Sequence, residues 1–140
     1  MMIKRLISSW YFVRAGDSLA AGDYALAFDN MNKAKSWSGK AYQKLSLFEI
    51  NLRMAYAAKM CDESAIAIDE ARKAKAKIIK VTSLNDREKA YLTVYCNLIE
   101  RECQLEDVEF PHDIKEIHTL VNDDAIARRF KSSYPIVLDT

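Results

Sequence analysis

The sequence has 140 residues, of which 50% are apolar and 29% are charged, and this is enough chain to bury one globular core. A formal net charge of +1 gives no overall field that would select nucleic acid or an anionic membrane. Three glycines and two prolines are too few for the turns of a β-rich fold, so we expect an all-α domain.

The first two predicted helices form a hairpin around Gly22. A helix is predicted over 3–20, because apolar residues recur there at helical spacing. These residues are Ile3, Leu6, Ile7, Trp10, Val13 and Leu19. Gly22 can take the left-handed conformation that ends a helix, and Asp23 is a candidate N-cap for the next helix. That second helix is predicted to run through Lys35.

A second hairpin is predicted over 40–81. Apolar residues at helical spacing place its first helix over 40–60 and its second over 63–81. The residues CDES between the two helices form a corner, and Asp62 is the predicted N-cap of the second helix.

The remaining chain is predicted to cap these hairpins. Ser83 and Asn85 are candidate caps for a fifth helix over 86–105, and Pro111 then turns the chain. Two short helices and an extended tail follow, over 113–121, 123–130 and 132–140. The predicted organisation is one helical domain over 1–140, with hairpin 1 at 1–36, hairpin 2 at 40–81, a capping helix at 85–105, and short helices with an extended tail at 112–140.

The two hairpins contain an internal repeat at an offset of 40 residues. The segment GDYALAFDNMNKAKS at 22–36 corresponds to DESAIAIDEARKAKA at 62–76. The identical pairs are Ala25 and Ala65, Ala27 and Ala67, Asp29 and Asp69, Lys33 and Lys73, Ala34 and Ala74, and Lys35 and Lys75. Self-similarity at a fixed period is typical of helical-repeat proteins.

The first copy resembles the second helix of a tetratricopeptide repeat. In that family a small residue follows the corner, a larger apolar residue comes four positions later, and an alanine three positions after that. Ala27, Met31 and Ala34 match this pattern. The matching residues of the second copy are Ala67, Ala71 and Ala74. The resemblance covers roughly residues 10–105 and implies stacked antiparallel hairpins whose small side chains allow close helix crossings.

The resemblance also implies a binding surface. In the family, the first helix of each hairpin lines a concave face that holds a partner. The positions that correspond to this face and that we predict to bind a partner are Phe12, Glu49, Leu52, Tyr56, Lys59 and Lys89. Gly16 and Leu19 belong to the same predicted face. The competing interpretation is that most of the aromatic residues among these simply fill the core.

Charge is distributed unevenly along the chain. Residues 1–80 hold 14 Lys and Arg against 8 Asp and Glu, a balance of +6, and residues 81–140 hold 7 against 12, a balance of −5. Internal pairing of the two halves is the favoured interpretation, because charged faces are usually solvated or matched within a domain. The basic run at 72–80 is likewise interpreted as the carboxyl end of a helix.

Few residues favour catalysis or metal binding. His112 and His118 are six positions apart, which does not place them on one helical face. The nucleophile-elbow, phosphate-loop and dinucleotide-binding motifs do not occur in the sequence. We therefore expect a protein that is not an enzyme and uses no cofactor or metal.

The expected function is that of an adaptor-like module that binds a partner protein or peptide through a helical-array groove. The alternative is a dedicated inhibitor, an immunity-type protein or a chaperone that covers one partner with a charged face. In that case the acidic residues Glu102, Glu106 and Asp107 are candidates for the contact. We expect neither nucleic acid nor a membrane as partner, and a homodimer stays open.

A cytoplasmic location is expected from the cysteines and the first residues. The three cysteines are an odd number without a C-x-x-C motif, which is typical of free thiols in a reducing compartment. The apolar run from Leu6 to Val13 is interrupted by Arg14 and is far shorter than the ~20 residues that span a bilayer.

Overall fold

A computed structural model describes residues 2–37, 47–104 and 113–136. Over these ranges the chain is helical and contains no β-strand, which confirms the all-α prediction. The helices are α1 (Met2–Ala20), α2 (Tyr24–Trp37), α3 (Leu47–Met60), α4 (Ser64–Ile78), α5 (Asp86–Cys103), α6 (Ile114–Val121) and α7 (Asp124–Ile126), and α7 continues into a π-helical turn at Ala127–Lys131. Residues 40–46 of the predicted third helix lie outside the described residues.

The helices stack as two hairpins with a cap, as predicted. α1 packs against α2 and α3 packs against α4, each pair joined by a tight turn. The hairpins meet where α2 packs against α3, and α5 then covers α4. α6 and α7 contact α5, so the C-terminal helices lie at the far end of the array.

The two hairpin turns have the same backbone geometry 40 residues apart. The Asp23 N–H donates to the carbonyl of Ser18 at 2.9 Å, and the Glu63 N–H donates to the carbonyl of Ala58 at 2.9 Å. This is the six-residue bond of a Schellman motif, in which a residue in the left-handed conformation ends the helix.

Gly22 and Asp62 supply the left-handed residue of the two turns. Gly22 has φ +78° and Asp62 has φ +60°. The Asp23 side chain accepts a bond from the Leu26 N–H at 3.2 Å, as expected for an N-cap. The prediction that Asp62 caps α4 is wrong, because Glu63 is the N-cap residue and its side chain makes no capping bond. Aspartate adopts this conformation more readily than most residues but less readily than glycine.

Opposite substitutions at these turns should therefore change stability in opposite directions. Gly22→Ala is expected to lower the free energy of unfolding by about 1 kcal/mol, because an added Cβ disfavours φ > 0. A Cβ at Gly22 would meet nothing within 4 Å, so backbone strain alone is measured. Asp62→Gly is expected to raise the free energy by about 0.5 kcal/mol, since the relieved strain exceeds the extra freedom of glycine in the unfolded chain. Urea denaturation followed by far-ultraviolet circular dichroism checks both values, and shifts of the same sign would contradict the expectation.

The repeated alanines lie in the interior of the array. Ala27, Ala34, Ala67 and Ala74 are all fully buried. The first helix of each hairpin contributes a further alanine at the same offset of 40 residues, and these two residues, Ala15 and Ala55, are fully buried as well. Small buried side chains permit neighbouring helices to approach closely, and their burial agrees with the prediction of stacked hairpins.

Two apolar clusters hold the array together. A small cluster of Ala15, Met31, Ile50 and Met54 joins hairpin 1 to α3. The larger cluster runs from α3 through α5 to the C-terminal helices and includes Tyr134 and Ile136. The core therefore lies mostly in the second hairpin and the cap.

A buried polar group also links the two hairpins. Glu70 is buried on α4 and accepts a hydrogen bond from the Nδ2 group of Asn51 on α3. The Lys77 ammonium donates to the Asn51 side-chain oxygen at 2.7 Å, and Lys35 on α2 lies 3.6 Å from Glu70. Burial, followed by the nearby Lys35 charge, lowers the pKa of Lys77. This network satisfies the buried carboxylate, which would otherwise be costly to desolvate.

Ion pairs join the basic and acidic halves of the chain. Glu100 on α5 lies 2.8 Å from Arg72 and 2.6 Å from Lys75, both in the basic run of α4. Glu102 pairs with Lys59 on α3. These contacts support the interpretation of the charge polarity as internal matching.

No described helix has the combination of length and apolar character needed to cross a bilayer.

Candidate functional site

The C-terminal segment lies on the face formed by α3 and α5. Tyr134 is only 2% exposed, and its carbonyl accepts a hydrogen bond from the Tyr91 hydroxyl at 2.7 Å. Its ring packs edge-on against Tyr95, with 5.5 Å between centroids. The Tyr134 N–H donates to the Phe130 carbonyl at 2.7 Å, where the π-helical turn ends, and Pro135 and Ile136 follow in irregular backbone. The array thus holds a non-helical segment of its own chain on this face.

The Tyr134 side chain also reaches α3. Its hydroxyl donates to the Glu49 carboxylate at 3.3 Å. Burial and the Glu49 charge raise the pKa of Tyr134, against the opposing effect of Arg53. The hydroxyl therefore stays protonated and remains a donor at neutral pH. Glu49 is one of the residues predicted to bind a partner, and here it binds the C-terminal segment.

A cleft of about 390 Å³ opens beside this segment. Its walls come from the end of α1, the middle of α3 and the C-terminal segment. The lining residues are Gly16, Leu19, Ala20, Arg53, Tyr56, Ser132, Ser133 and Pro135. This combination of an apolar wall, a guanidinium, a phenol and hydroxyl groups is typical of a site that fixes a ligand by a few polar contacts.

A smaller cavity of about 190 Å³ shares Tyr56 and Pro135 with the cleft. It is formed mainly by α3 and α5. Its lining residues are Tyr56, Lys59, Met60, Tyr95, Leu98, Ile99, Glu102 and Pro135. Because both spaces border Tyr56, this residue is at the centre of the candidate site.

Tyr56 is held in place by its neighbours on α2 and α3. Its ring packs edge-on against Tyr24, with 5.9 Å between centroids, and the Lys59 ammonium lies 5.9 Å from the ring centre. Burial, and then the nearby Tyr24, raises the pKa of Tyr56. The half-buried phenol is therefore a neutral donor and acceptor at the wall of the cleft.

Arg53 connects the cleft to α1. Its guanidinium lies 4.3 Å from the ring centre of Phe12, a cation–π distance. A Cβ added to Gly16 would come within 3.2 Å of the Arg53 Nη1 atom. The absence of a side chain at Gly16 thus gives the guanidinium its room at this edge of the cleft.

The six predicted binding residues do not all lie at the cleft. Tyr56 lines both spaces, Lys59 lines the smaller one, and Glu49 binds Tyr134. Phe12 is half-buried beneath Arg53. Leu52 is fully buried in the larger core cluster and offers no surface to a ligand. Lys89 donates instead to the Ile79 carbonyl at 3.0 Å, at the turn between α4 and α5.

Three residues at the site were missed by the sequence analysis. Arg53 falls outside the positions that the repeat pattern places on the binding face. Tyr134 and Pro135 belong to the predicted tail, for which no contact with the face was predicted. A Tyr-Pro pair among β-branched residues is typical of an extended, partly buried segment and was the one available indication.

Of the residues considered for other functions, those that the structure describes do not line the larger cleft. His118 is partly exposed on α6, and His112 lies outside the described residues. The acidic residues Glu106 and Asp107 also lie outside the described residues. Glu102 is half-exposed at the rim of the smaller cavity.

Comparison of the chain with protein-family models, with curated proteins and with solved structures finds no match.

Proposed function

We propose that this protein is a non-catalytic interaction module that binds an extended peptide segment of a partner protein. The segment lies in the cleft between α1, α3 and the residues around Pro135. Arg53 and Tyr56 are the main polar contacts, and Leu19 supplies part of the apolar wall. The similarity of the two hairpin segments to tetratricopeptide repeats favours the same kind of function.

One observation carries this proposal: the face formed by α3 and α5 already binds a non-helical segment of its own chain. The Tyr91 hydroxyl binds the backbone carbonyl of Tyr134, while Tyr95 and Glu49 contact its side chain. Backbone bonds that give affinity, together with pockets that take side chains, are the usual means of peptide recognition. The adjacent cleft places the Arg53 guanidinium and the Tyr56 phenol next to this segment.

The alternative of an inhibitor that uses the acidic face has less support. Glu100 is already matched by two basic residues of α4, and Glu102 is matched by Lys59. Paired charges lose part of their attraction for a partner, because binding would have to replace an existing contact.

Peptides selected from a displayed random library test the proposal. A peptide that binds the wild-type chain is expected to bind the double variant Arg53→Ala, Tyr56→Ala at least about tenfold more weakly, since Arg and Tyr often dominate binding energy. The control is Ile114→Ala with Lys115→Ala, which removes one large and one basic side chain from exposed positions on α6, whereas Arg53 and Tyr56 are partly buried. Circular dichroism establishes that both variants are folded.

Two outcomes would contradict the proposal. The first is that the selected peptides bind the cleft variant and the wild type equally well. The second is that binding is lost when Glu102, Glu106 and Asp107 are changed to lysine but is kept in the cleft variant, which would favour the acidic-face alternative. Affinities from fluorescence anisotropy of labelled peptides distinguish these results.

A further inference from the structure

Large apolar side chains form an exposed stripe along the outer face of α1. Ile3, Leu6, Trp10 and Val13 are 72%, 64%, 54% and 61% exposed. Their spacing of three, four and three residues places them in one row along the helix. It is also the spacing of the a and d positions of a coiled coil, in which two helices pack along a narrow apolar seam. We call these four residues the α1 stripe.

The side of α1 opposite the stripe is the one that packs on the array. Ser8 is fully buried, and its hydroxyl donates to the Ala34 carbonyl of α2 at 2.7 Å. Ala15, seven positions later, is fully buried too. The side of α1 that carries Ser8 and Ala15 thus faces the domain, while the four residues of the α1 stripe face away from it. Within the described part of the chain, each of the four side chains of the α1 stripe is more than half exposed.

We propose that the α1 stripe pairs with the α1 stripe of a second copy of this chain. The two α1 helices run antiparallel about a twofold axis. Ile3 then meets the partner's Val13, and Leu6 meets the partner's Trp10. Each of these contacts occurs twice in a twofold dimer, so all four apolar residues are covered.

The area of the α1 stripe matches what a dimer needs. Its four side chains expose on the order of 500 Å² in each copy, which is at the upper end for a patch on a monomeric protein. Complete burial of both stripes would remove about 1,000 Å² from solvent, which is about the least area of a specific interface. Neighbouring residues of α1 would add to this area.

Asp17 determines the antiparallel orientation. It lies four positions after Val13, at the next a-type position of the same row, and is exposed. A parallel pair would place Asp17 against the partner's Asp17 in the seam, where two carboxylates repel each other. The antiparallel pair ends at Ile3 and Val13 and leaves Asp17 in solvent.

Arg14 lies beside the α1 stripe and binds its largest member. Its guanidinium is 4.8 Å from the ring centre of Trp10, so it covers one face of the indole. This contact keeps the ring in one orientation before association, which lowers the entropic cost of forming the interface.

Sedimentation equilibrium of the full chain tests the proposal. From about 1 to 100 μM, we expect a reversible monomer–dimer equilibrium, as suits an interface of this size. Leu6→Glu with Val13→Glu should weaken the dimer at least about a hundredfold, because each carboxylate would be desolvated in the seam. The matched control is Ile79→Glu with Ile114→Glu, at residues 67% and 66% exposed elsewhere. It should dimerise like the wild type.

Three results would overturn the proposal. These are a wild-type chain that is monomeric throughout this range, a dimer that the α1-stripe variant leaves unchanged, and a monomeric wild type that sediments with phosphatidylglycerol vesicles unless the stripe is altered. The last result would assign the stripe to a bilayer surface. Thermal unfolding of each variant shows whether the exposed substitutions leave the fold intact.

Disulfide formation tests the orientation in a Cys61→Ser background, since Cys96 and Cys103 are buried. Leu6→Cys and Trp10→Cys proteins should form a mixed disulfide when oxidised together, because these positions are opposite each other in the antiparallel pair. Efficient homodimers of either variant alone would indicate a parallel pair and overturn the orientation.

Discussion

Replacing Ala67 with leucine is expected to lower the free energy of unfolding by about 3 kcal/mol. Ala67 is fully buried on α4 and packs in the core cluster that contains Ala55 and Ala58 of α3. A leucine at this position would have to push the two helices apart or take a strained rotamer, since a packed core has no space for three more carbons. Urea denaturation followed by circular dichroism measures the change.

The matched control is the same substitution two residues earlier. Ala65 is exposed on the same helix, and Ala65→Leu should change stability by less than about 0.5 kcal/mol. The equivalent pair in hairpin 1, Ala27→Leu and Ala25→Leu, should show the same contrast, because Ala27 is buried and Ala25 is exposed. Equal effects of the buried and exposed substitutions would show that the helices do not meet at these alanines.

Replacing Tyr134 with alanine is expected to lower the free energy of unfolding by about 3–5 kcal/mol, as for other buried aromatic residues. The ring contacts Tyr95 and Phe130, and the hydroxyl bonds Glu49. Its removal would leave a void between α5 and the C-terminal segment and would cut the link from that segment to α3. Denaturation with urea again gives the value.

Two further variants distinguish the stability that the ring contributes from the contributions of its hydroxyl and of the neighbouring proline. Tyr134→Phe removes only the hydroxyl and should cost about 1 kcal/mol. Pro135→Ala changes the exposed neighbour and should cost less than the loss of the ring. If Tyr134→Ala lowered the free energy of unfolding no more than Pro135→Ala, the C-terminal segment would not be docked on the face formed by α3 and α5.

The cleft and the α1 stripe are separate surfaces, so the two proposals fail independently. The cleft uses Gly16, Leu19 and Ala20 near the end of α1, whereas the stripe lies along its first three turns. Stripe variants test association between copies, and variants of Arg53 and Tyr56 test peptide binding. A monomer that binds peptides would contradict only the dimer proposal, and a dimer that binds no peptide would contradict only the proposed function.

Most helix boundaries follow from local chemistry and were therefore predictable. Asn85 and Glu88 form a capping box that begins α5, with bonds of 2.8 and 3.0 Å in the two directions. Gly22 ends α1 because glycine accepts positive φ without strain. Each of these features depends on residues within a few positions of one another, so the sequence alone contains the information.

The contacts at the candidate site depend on residues that are distant along the chain. Tyr134 meets Glu49 across 85 positions and Tyr91 across 43. No local pattern indicates such a pairing, because the face that the segment contacts exists only once α3 and α5 have packed together. The turn at Asp62 also requires a left-handed conformation, which glycine adopts more readily than aspartate.

The first helix shows most clearly where the sequence stops being sufficient. A row of apolar residues at helical spacing predicted the helix, and the helix is present. Tertiary structure determined that its small residues, Ser8 and Ala15, face the array while Trp10 and Val13 face outward. The physical reason is that periodicity describes only one helix, whereas burial depends on how closely a neighbouring helix can approach each of its sides.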